Sequence, residues 1–483
     1  MISKKTIYGS FIYTLVGSLP FASALVLLPF YSNFLSTTDF GALTVYISFS
    51  LLVQILATFS IEQYIATHVH QLRDDASERR QKMGSALTLC FLFGLLVIGL
   101  FSLIGPSVFR LFDKDSQLDF WTFGMMSVVT GMFNGYFRNY TTLLIYDRQE
   151  KEYIAANLIN FFATIGLSIF FLYRFESSLM GPMLGRLTSG IVIFFVALVH
   201  HLRNYPFRFQ MPNAKEILWF AAPMLLISLF NWSIAYIDRF FLTSQISMDQ
   251  IGVYDFATKF LLPVELMHMG LSNFLMPKIY SSWDKNFTNP PMVAANQMLH
   301  SFSILTVLAI IGTIFIIPIA VPLIVKNEDL YLAFSLLPLL SISFLTRSAY
   351  NLLSGVLMLQ KATTRIVFAF VITGVTQFGA SYFLIPSFGL EAAMYIAVAT
   401  KVLLVLVLYF VASQSTTIDL RMRKFFWYPL SIGTGLFVFY QIQHMGFWAV
   451  WAAFVLFAAA ITWIFFGKEL RPLLAFYLGS KAR

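Results

Sequence analysis

The sequence predicts an all-α polytopic membrane protein of about 14 transmembrane helices, arranged as two parallel six-helix repeats plus two C-terminal helices. Three observations predict it: too few charges for a water-facing surface, long apolar runs parted by short polar breaks, and a residue pattern that recurs 211 positions later. Of 483 residues, 58% are hydrophobic and 11% charged, with a mean hydropathy of +0.75. A soluble domain carries roughly 25% charged residues, so the polar surface that water requires is missing. A spanning helix needs about 20 apolar residues, which sets a ceiling of about fourteen spans for this composition. Period-2 alternation is absent, and long apolar runs in lipid must satisfy their backbone internally, which means helices.

The first six spans are predicted over residues 8–30, 40–61, 84–104, 119–137, 153–173 and 179–199. Turn chemistry marks the breaks, as in Leu35-Ser-Thr-Thr-Asp-Phe-Gly41 after the first span and Phe109-Arg-Leu-Phe-Asp-Lys-Asp115 after the third. A second series follows over 217–237, 250–272, 298–318, 331–357, 366–385 and 390–411, with Lys326-Asn-Glu-Asp329 parting its third and fourth members. Spans over 426–442 and 446–466 close the chain. The expected organisation is a six-helix lobe over 1–210, a second over 211–415, and two further helices with a cytoplasmic tail over 416–483. The first apolar run lacks a small-residue cleavage site and is about as long as a span, so it reads as a retained helix rather than a signal peptide. Cys90 is the only cysteine, which excludes an intrachain disulfide and reads as packing within the third span.

Cations decide the orientation. On the side of the N-terminus the loops hold 23 Lys and Arg, while the opposite loops hold four, namely Arg110, Lys114, Arg174 and Lys326. That asymmetry over short loops predicts both termini in the cytoplasm. The formal charge of +9 therefore reports topology and does not imply a nucleic-acid partner.

The repeat carries the mechanism. Leu35-Ser36 with Phe40-Gly41-Ala42 matches Ile246-Ser247 with Ile251-Gly252-Val253, and the same offset carries Gln149 onto Gln360 and Leu179 with Met183 onto Leu390 with Met394. Because each unit holds an even number of spans, the copies enter from one side and are parallel, related by an axis along the membrane normal. Such halves enclose a central substrate site and rock against each other for alternating access.

The six-plus-six-plus-two arrangement resembles the multidrug/oligosaccharidyl-lipid/polysaccharide exporter superfamily. Within it, Leu28-Pro-Phe-Tyr31 through Gly41 is similar to the first loop of the Wzx-type O-antigen/polysaccharide flippases. Pro223 through Tyr236-Ile-Asp-Arg-Phe-Phe241, then Ile251-Gly-Val-Tyr254, is similar to the start of their second half. The resemblance covers nearly the whole chain through degenerate motifs. It implies a flippase that turns undecaprenyl-pyrophosphate-linked oligosaccharide from the cytoplasmic to the periplasmic leaflet of a bacterial inner membrane. It further implies membrane lipids, a polysaccharide polymerase and a chain-length regulator as partners.

Five cations, Arg186, Arg239, Lys259, Arg347 and Lys401, fall in or at the ends of predicted spans, where an ionisable side chain is costly and faces a cavity or a partner. At about 1.5 Å per residue, Arg186 lies roughly 10 Å deep in the sixth span and Lys401 about 17 Å deep in the twelfth, equivalent helices of the two lobes. Arg offers a phosphate a bidentate fork and Lys a mobile point charge. Both are candidate lumenal contacts for an anionic cargo; bonding to carbonyls of neighbouring helices and snorkelling are the bland readings. Arg347, about 24 Å down its span, is at the depth of Glu265, so a structural pair competes with a lumenal role. Asp255 and Lys259 are spaced i,i+4, and Asp238 with Arg239 lies at a similar depth. The four form either a fixed ionic cluster or an outer gate. Glu265, just after Pro263, is the leading candidate for ion coupling because a proline permits a kink and frees a carbonyl. His268, one turn on, reads first as a hydrogen-bonded packing histidine.

Catalytic chemistry is not encoded. There is no Walker-type loop, zinc-spaced cluster or Gly-x-Ser-x-Gly elbow. His68-Val69-His70 and His200-His201 have no further ligands nearby, so no metal or cofactor is expected. An ion-coupled multidrug exporter of the same superfamily is the alternative, since 53 Phe suit an organic cation as well as they suit lipid. A polysaccharide polymerase or ligase would need a large outer loop, and none here exceeds about 15 residues.

Overall fold

Every regular element is a helix. The computed structural model describes residues 16–71, 75–113, 117–175, 178–207, 209–281, 292–360, 362–414 and 423–480, and among these there is no strand. Helix α1 (Leu19–Phe34) begins at Pro20, whose missing N–H costs nothing in a first turn. Helix α2 (Thr37–Thr58) is capped by Ser36, which accepts from the Asp39 N–H at 3.0 Å. The predicted second span then breaks where Phe59 and Ser60 are both left-handed (φ 48° and 54°), and α3 (Ile61–Gln71) restarts beyond them. Two non-glycine residues in that region cost of order 1–3 kcal/mol each.

Helix α4 (Ala76–Phe112) has 37 residues, about 55 Å at 1.5 Å per residue, so it outruns a hydrocarbon core of about 30 Å. Its surplus is the polar first turns carrying Glu78, Arg79, Arg80 and Lys82, which begin at an Asp75 cap. A π-turn (Phe120–Gly124) leads into α5 (Met125–Tyr146), and α6 (Glu150–Arg174) and α7 (Met180–Asn204) follow. Close α6–α7 packing rests on small residues: a Cβ at Gly181 would lie 2.9 Å from Leu172 Cα, and one at Gly185 3.0 Å from the Ser168 nitrogen.

The second series opens with α8 (Met211–Leu242). The predicted span over 250–272 is two helices, α9 (Met248–Lys259) and α10 (Leu262–Ser281), because Pro263 starts a helix more readily than it continues one. Helix α11 is Met292–Ile324. The predicted span over 331–357 is also interrupted: α12 (Ala333–Ile342) and α13 (Arg347–Leu359) are joined by a 3-10 turn over Ser343–Thr346. The predicted eleventh and twelfth spans run on as α14 (Thr363–Ser413), with their boundary kept by Gly389 at φ 56°, ψ −133°. Helices α15 (Tyr428–Ile442) and α16 (Phe447–Ser480) complete the chain.

Nine of the described helices are long and apolar enough to cross a membrane. Helix α14, at 51 residues, holds two predicted spans; the other four are α1, α5, the α9–α10 pair and α15, each short, more polar or interrupted. The chain is therefore a multi-pass membrane protein.

Two compact units organise these helices: Met1–Asp255 with Val325–Leu330 and Phe370–Ile396, and Phe256–Ile324 with Tyr331–Ala369 and Ala397–Arg483. In the first, Tyr64, Leu87, Tyr136, Leu143 and Ile217 are buried together. In the second, Ile310, Tyr428, Ile432, Trp451 and Phe454 build the core, so the two C-terminal helices pack on α11.

Candidate functional site

The 211-residue offset reappears as physical contact within the first unit. Thr38 Oγ1 donates to Asp249 at 2.8 Å, and Thr44 Oγ1 donates to Asp255 Oδ2 at 2.9 Å; each pair is 211 residues apart. Between them Gly41 meets Gly252, and a Cβ on Gly252 would lie 2.7 Å from the Thr37 carbonyl oxygen. A residue that touches its own repeat equivalent lies on the axis relating the copies, so α2 and α9 cross there, and only glycine permits the approach.

Beside this crossing the first unit holds a buried ionic network. Arg239 donates to Asp238 Oδ1 at 2.9 Å and to Asp255 Oδ1 at 3.3 Å. Tyr254 Oη donates to Asp238 Oδ2 at 2.6 Å. Tyr236 and Tyr254 offer their ring faces to the guanidinium at 5.3 and 5.2 Å. Asp238, Arg239 and Asp255 are 2%, 4% and 6% exposed, so charges and hydrogen bonds must balance locally. Of the predicted gate cluster these three meet; Lys259 is the last residue of α9, one turn beyond Asp255.

Arg186 has different surroundings. It projects from the second turn of α7, and among the described residues no carboxylate or acceptor pairs with its guanidinium. Its polar neighbour is Tyr31 of α1, which in turn faces Ser168 of α6. Tyr31 is 6% exposed and Ser168 0%, yet neither hydroxyl makes a hydrogen bond of normal geometry. The Phe34 and Tyr173 rings, 4.8 Å apart, join α1 to α6 at the same end.

In the second unit Lys401 donates to Ser343 Oγ at 3.1 Å and lies 5.3 Å from the Phe344 ring centre, both in the 3-10 turn that interrupts the α12–α13 span. Arg347, the first residue of α13, is hydrogen-bonded and ion-paired to Glu265 of α10 and covers the Tyr350 ring at 5.2 Å. Both partners keep partial exposure, 36% and 22% of the side chain. His268 meets the Val264 carbonyl through Nδ1 at 2.9 Å and Thr306 through Nε2 at 2.8 Å, as a packing histidine would.

The cation-rich ends carry a further set of pairs, of which only Glu62 and Arg138 stand out in the sequence, as helix-end residues with a structural role. Glu216 accepts from Tyr64 Oη at 2.9 Å and pairs with Lys82 at 3.0 Å; Arg79 pairs with Asp147 at 3.3 Å, and Arg138 with Glu62 at 3.2 Å. Cys90 is buried and bonded to Asn139 at 3.3 Å, so it packs. His201 contacts Tyr136 Oη, and no group of three or more metal-type ligands occurs among the described residues. Thr38 and Thr44 were not singled out from the sequence, although each stands 211 residues before its aspartate. Tyr31 stands in the Leu28-Pro-Phe-Tyr31 segment that resembles the flippases' first loop, but no signal in the sequence gave it or Ser168 a role.

These features define the class: a helical multi-pass membrane protein with the fold of the multidrug/oligosaccharidyl-lipid/polysaccharide exporters. The lipid II flippase MurJ, in an inward closed conformation, superposes with a TM-score of 0.69 at 15% identity, covering 97% of this chain and 98% of that one. An inward-facing multidrug resistance MATE family transporter of the MOP superfamily gives 0.59 at 11% identity over 82% and 98%. The MATE multidrug transporter DinF-BH gives 0.58 at 13% over 86% and 95%. Residues 7–277 match the family model described as polysaccharide biosynthesis protein, and the chain belongs to that family. Curated protein sequences give no match. The fold is the one that these flippase and multidrug transporter structures share.

Proposed function

We propose that this chain flips undecaprenyl-pyrophosphate-linked oligosaccharide from the cytoplasmic to the periplasmic leaflet of a bacterial inner membrane, for O-antigen, capsule or exopolysaccharide biosynthesis. The observation that carries the reading is Arg186, a cation at membrane depth that no acidic group compensates among the described residues. Such a charge is retained at a cost of about 2.5–3.5 kcal/mol on translocon scales, and an anionic passenger supplies the missing partner. Family membership supports a glycan as the rest of the cargo, and the fold shared with a lipid II flippase supports a lipid carrier. The lobes over 1–210 and 211–415 rock for alternating access, with 416–483 outside the repeat. The network of Asp238, Arg239 and Asp255, with Lys259 one turn on, acts as the outer gate. Arg347 and Lys401 serve the cargo earlier along its route, and Arg186 nearer the periplasmic leaflet. Both termini face the cytoplasm, as the 23-to-4 cation asymmetry supports. A polymerase and a chain-length regulator consume the product.

Coupling rests on Glu265, whose charge Arg347 balances in the present arrangement. Glu265→Gln is expected to make transport indifferent to collapse of proton and sodium gradients that slow the wild type; an unchanged gradient response removes Glu265 from coupling. The function itself is tested in vesicles holding the purified protein and a fluorescent lipid-linked glycan on one leaflet. Transfer to the other leaflet above the rate of protein-free vesicles is expected, and the protein-free rate would refute the assignment.

A further inference from the structure

Three groups converge within about two helical turns of the same ends of α1, α6 and α7. Tyr31 is three residues from the end of α1, Ser168 six residues from the end of α6, and Arg186 six residues into α7. The Tyr31 and Ser168 hydroxyls are more than nine-tenths buried and without a hydrogen bond of normal geometry, beside a guanidinium with no anion. The two hydroxyls face each other without a well-formed bond, which leaves them poorly satisfied, and an uncompensated guanidinium is costlier still. Their chemistry has one sense: Arg can only donate, and each hydroxyl can donate while the other accepts. Gly185 presses α7 against the Ser168 backbone, where a Cβ would lie 2.9 Å from Ser168 Oγ, so the seryl hydroxyl is held on the face that also carries Arg186. The arrangement is a set of donors lacking its acceptor.

We propose that Tyr31, Ser168 and Arg186 form a single seat for a phosphoryl group. Arg186 takes two oxygens through its fork, and the Tyr31 and Ser168 hydroxyls donate to the rest. This deepens the flippase reading by adding two neutral donors that select phosphate geometry over a bare halide, and it rests on that reading for the phosphoryl group's source. Neutral donors suit a seat that must release its guest, because hydrogen bonds from hydroxyls are weaker than those from a second cation.

The test uses the full chain in lipid nanodiscs with radiolabelled inorganic pyrophosphate, competed separately by chloride and by undecaprenyl pyrophosphate. Saturable pyrophosphate binding is expected, displaced by the lipid pyrophosphate and untouched by chloride at about tenfold excess. Tyr31→Phe and Ser168→Ala are each expected to weaken it by about three- to tenfold, and Arg186→Gln by about tenfold or more, with melting temperatures kept or raised. Binding of the lipid pyrophosphate alone, with the same variant losses, supports the seat and assigns the lipid as its source. Wild-type affinity in both hydroxyl variants, displacement by chloride, or absence of binding by both pyrophosphates overturns it. The two readings fail separately: a protein that flips glycan with intact hydroxyl-variant binding loses only the seat. One that binds as described without flipping loses only the flippase assignment.

Discussion

Two arginines in one unit have opposite surroundings. Arg239 is held by two carboxylates and two aromatic faces, whereas Arg186 has a buried phenol nearby and no acid among the described residues. A compensated charge of the first kind stabilises only while its partners remain, and its loss is felt by the fold. An uncompensated charge contributes little to the fold and is explained by what binds it. Depth and spacing in the sequence already set Arg239 in an ionic cluster and Arg186 apart from one, and the partner sets keep them apart.

That contrast can be broken by substitution. Asp238→Ala leaves Arg239 buried beside one remaining carboxylate, and the expected loss is about 3–5 kcal/mol of stability, read as a lower melting temperature in detergent. An unchanged melting temperature would mean that the network is not a structural lock. Gly41→Ala forces α2 away from α9 at the repeat axis, and overpacking of this kind costs about 1–3 kcal/mol. If the variant melts with wild type, the crossing is looser than the contacts imply. Lys401→Gln sharpens the comparison from the second unit. Its ammonium already donates to Ser343 and faces the Phe344 ring, so the expected stability change is under about 1 kcal/mol, with a fall in flipping smaller than that of Arg186→Gln. A larger transport defect at Lys401 than at Arg186 would reverse their ranking.

Much of the fold was legible because lipid imposes it. Apolar length located the spans, and the 211-residue offset matched Gly41 with Gly252, which the structure brings into contact; that Thr44 bonds Asp255 at the same offset emerged only from the structure. The breaks were harder. Phe59 and Ser60 adopt left-handed conformations without a glycine to announce them. The 3-10 turn at Ser343–Thr346 lies in an apolar stretch with no proline at the turn itself. In the site, charged residues stood out because charge is rare in spans, and Asp238, Arg239 and Asp255 came together as their depth suggested. Tyr31 and Ser168 stayed hidden, since a hydroxyl in a span usually bonds its own helix, as Ser32 does to the Leu28 carbonyl at 2.8 Å. Only the absence of that bond marks them.

The decisive comparison sets Arg186→Gln against Asp238→Ala in one preparation, with melting temperature and glycan flipping in reconstituted vesicles measured together. Arg186→Gln is expected to keep or raise the melting temperature while flipping falls by about tenfold or more, whereas Asp238→Ala loses melting temperature first. Wild-type flipping by a folded Arg186→Gln protein would contradict the claim that this cation carries an anionic cargo.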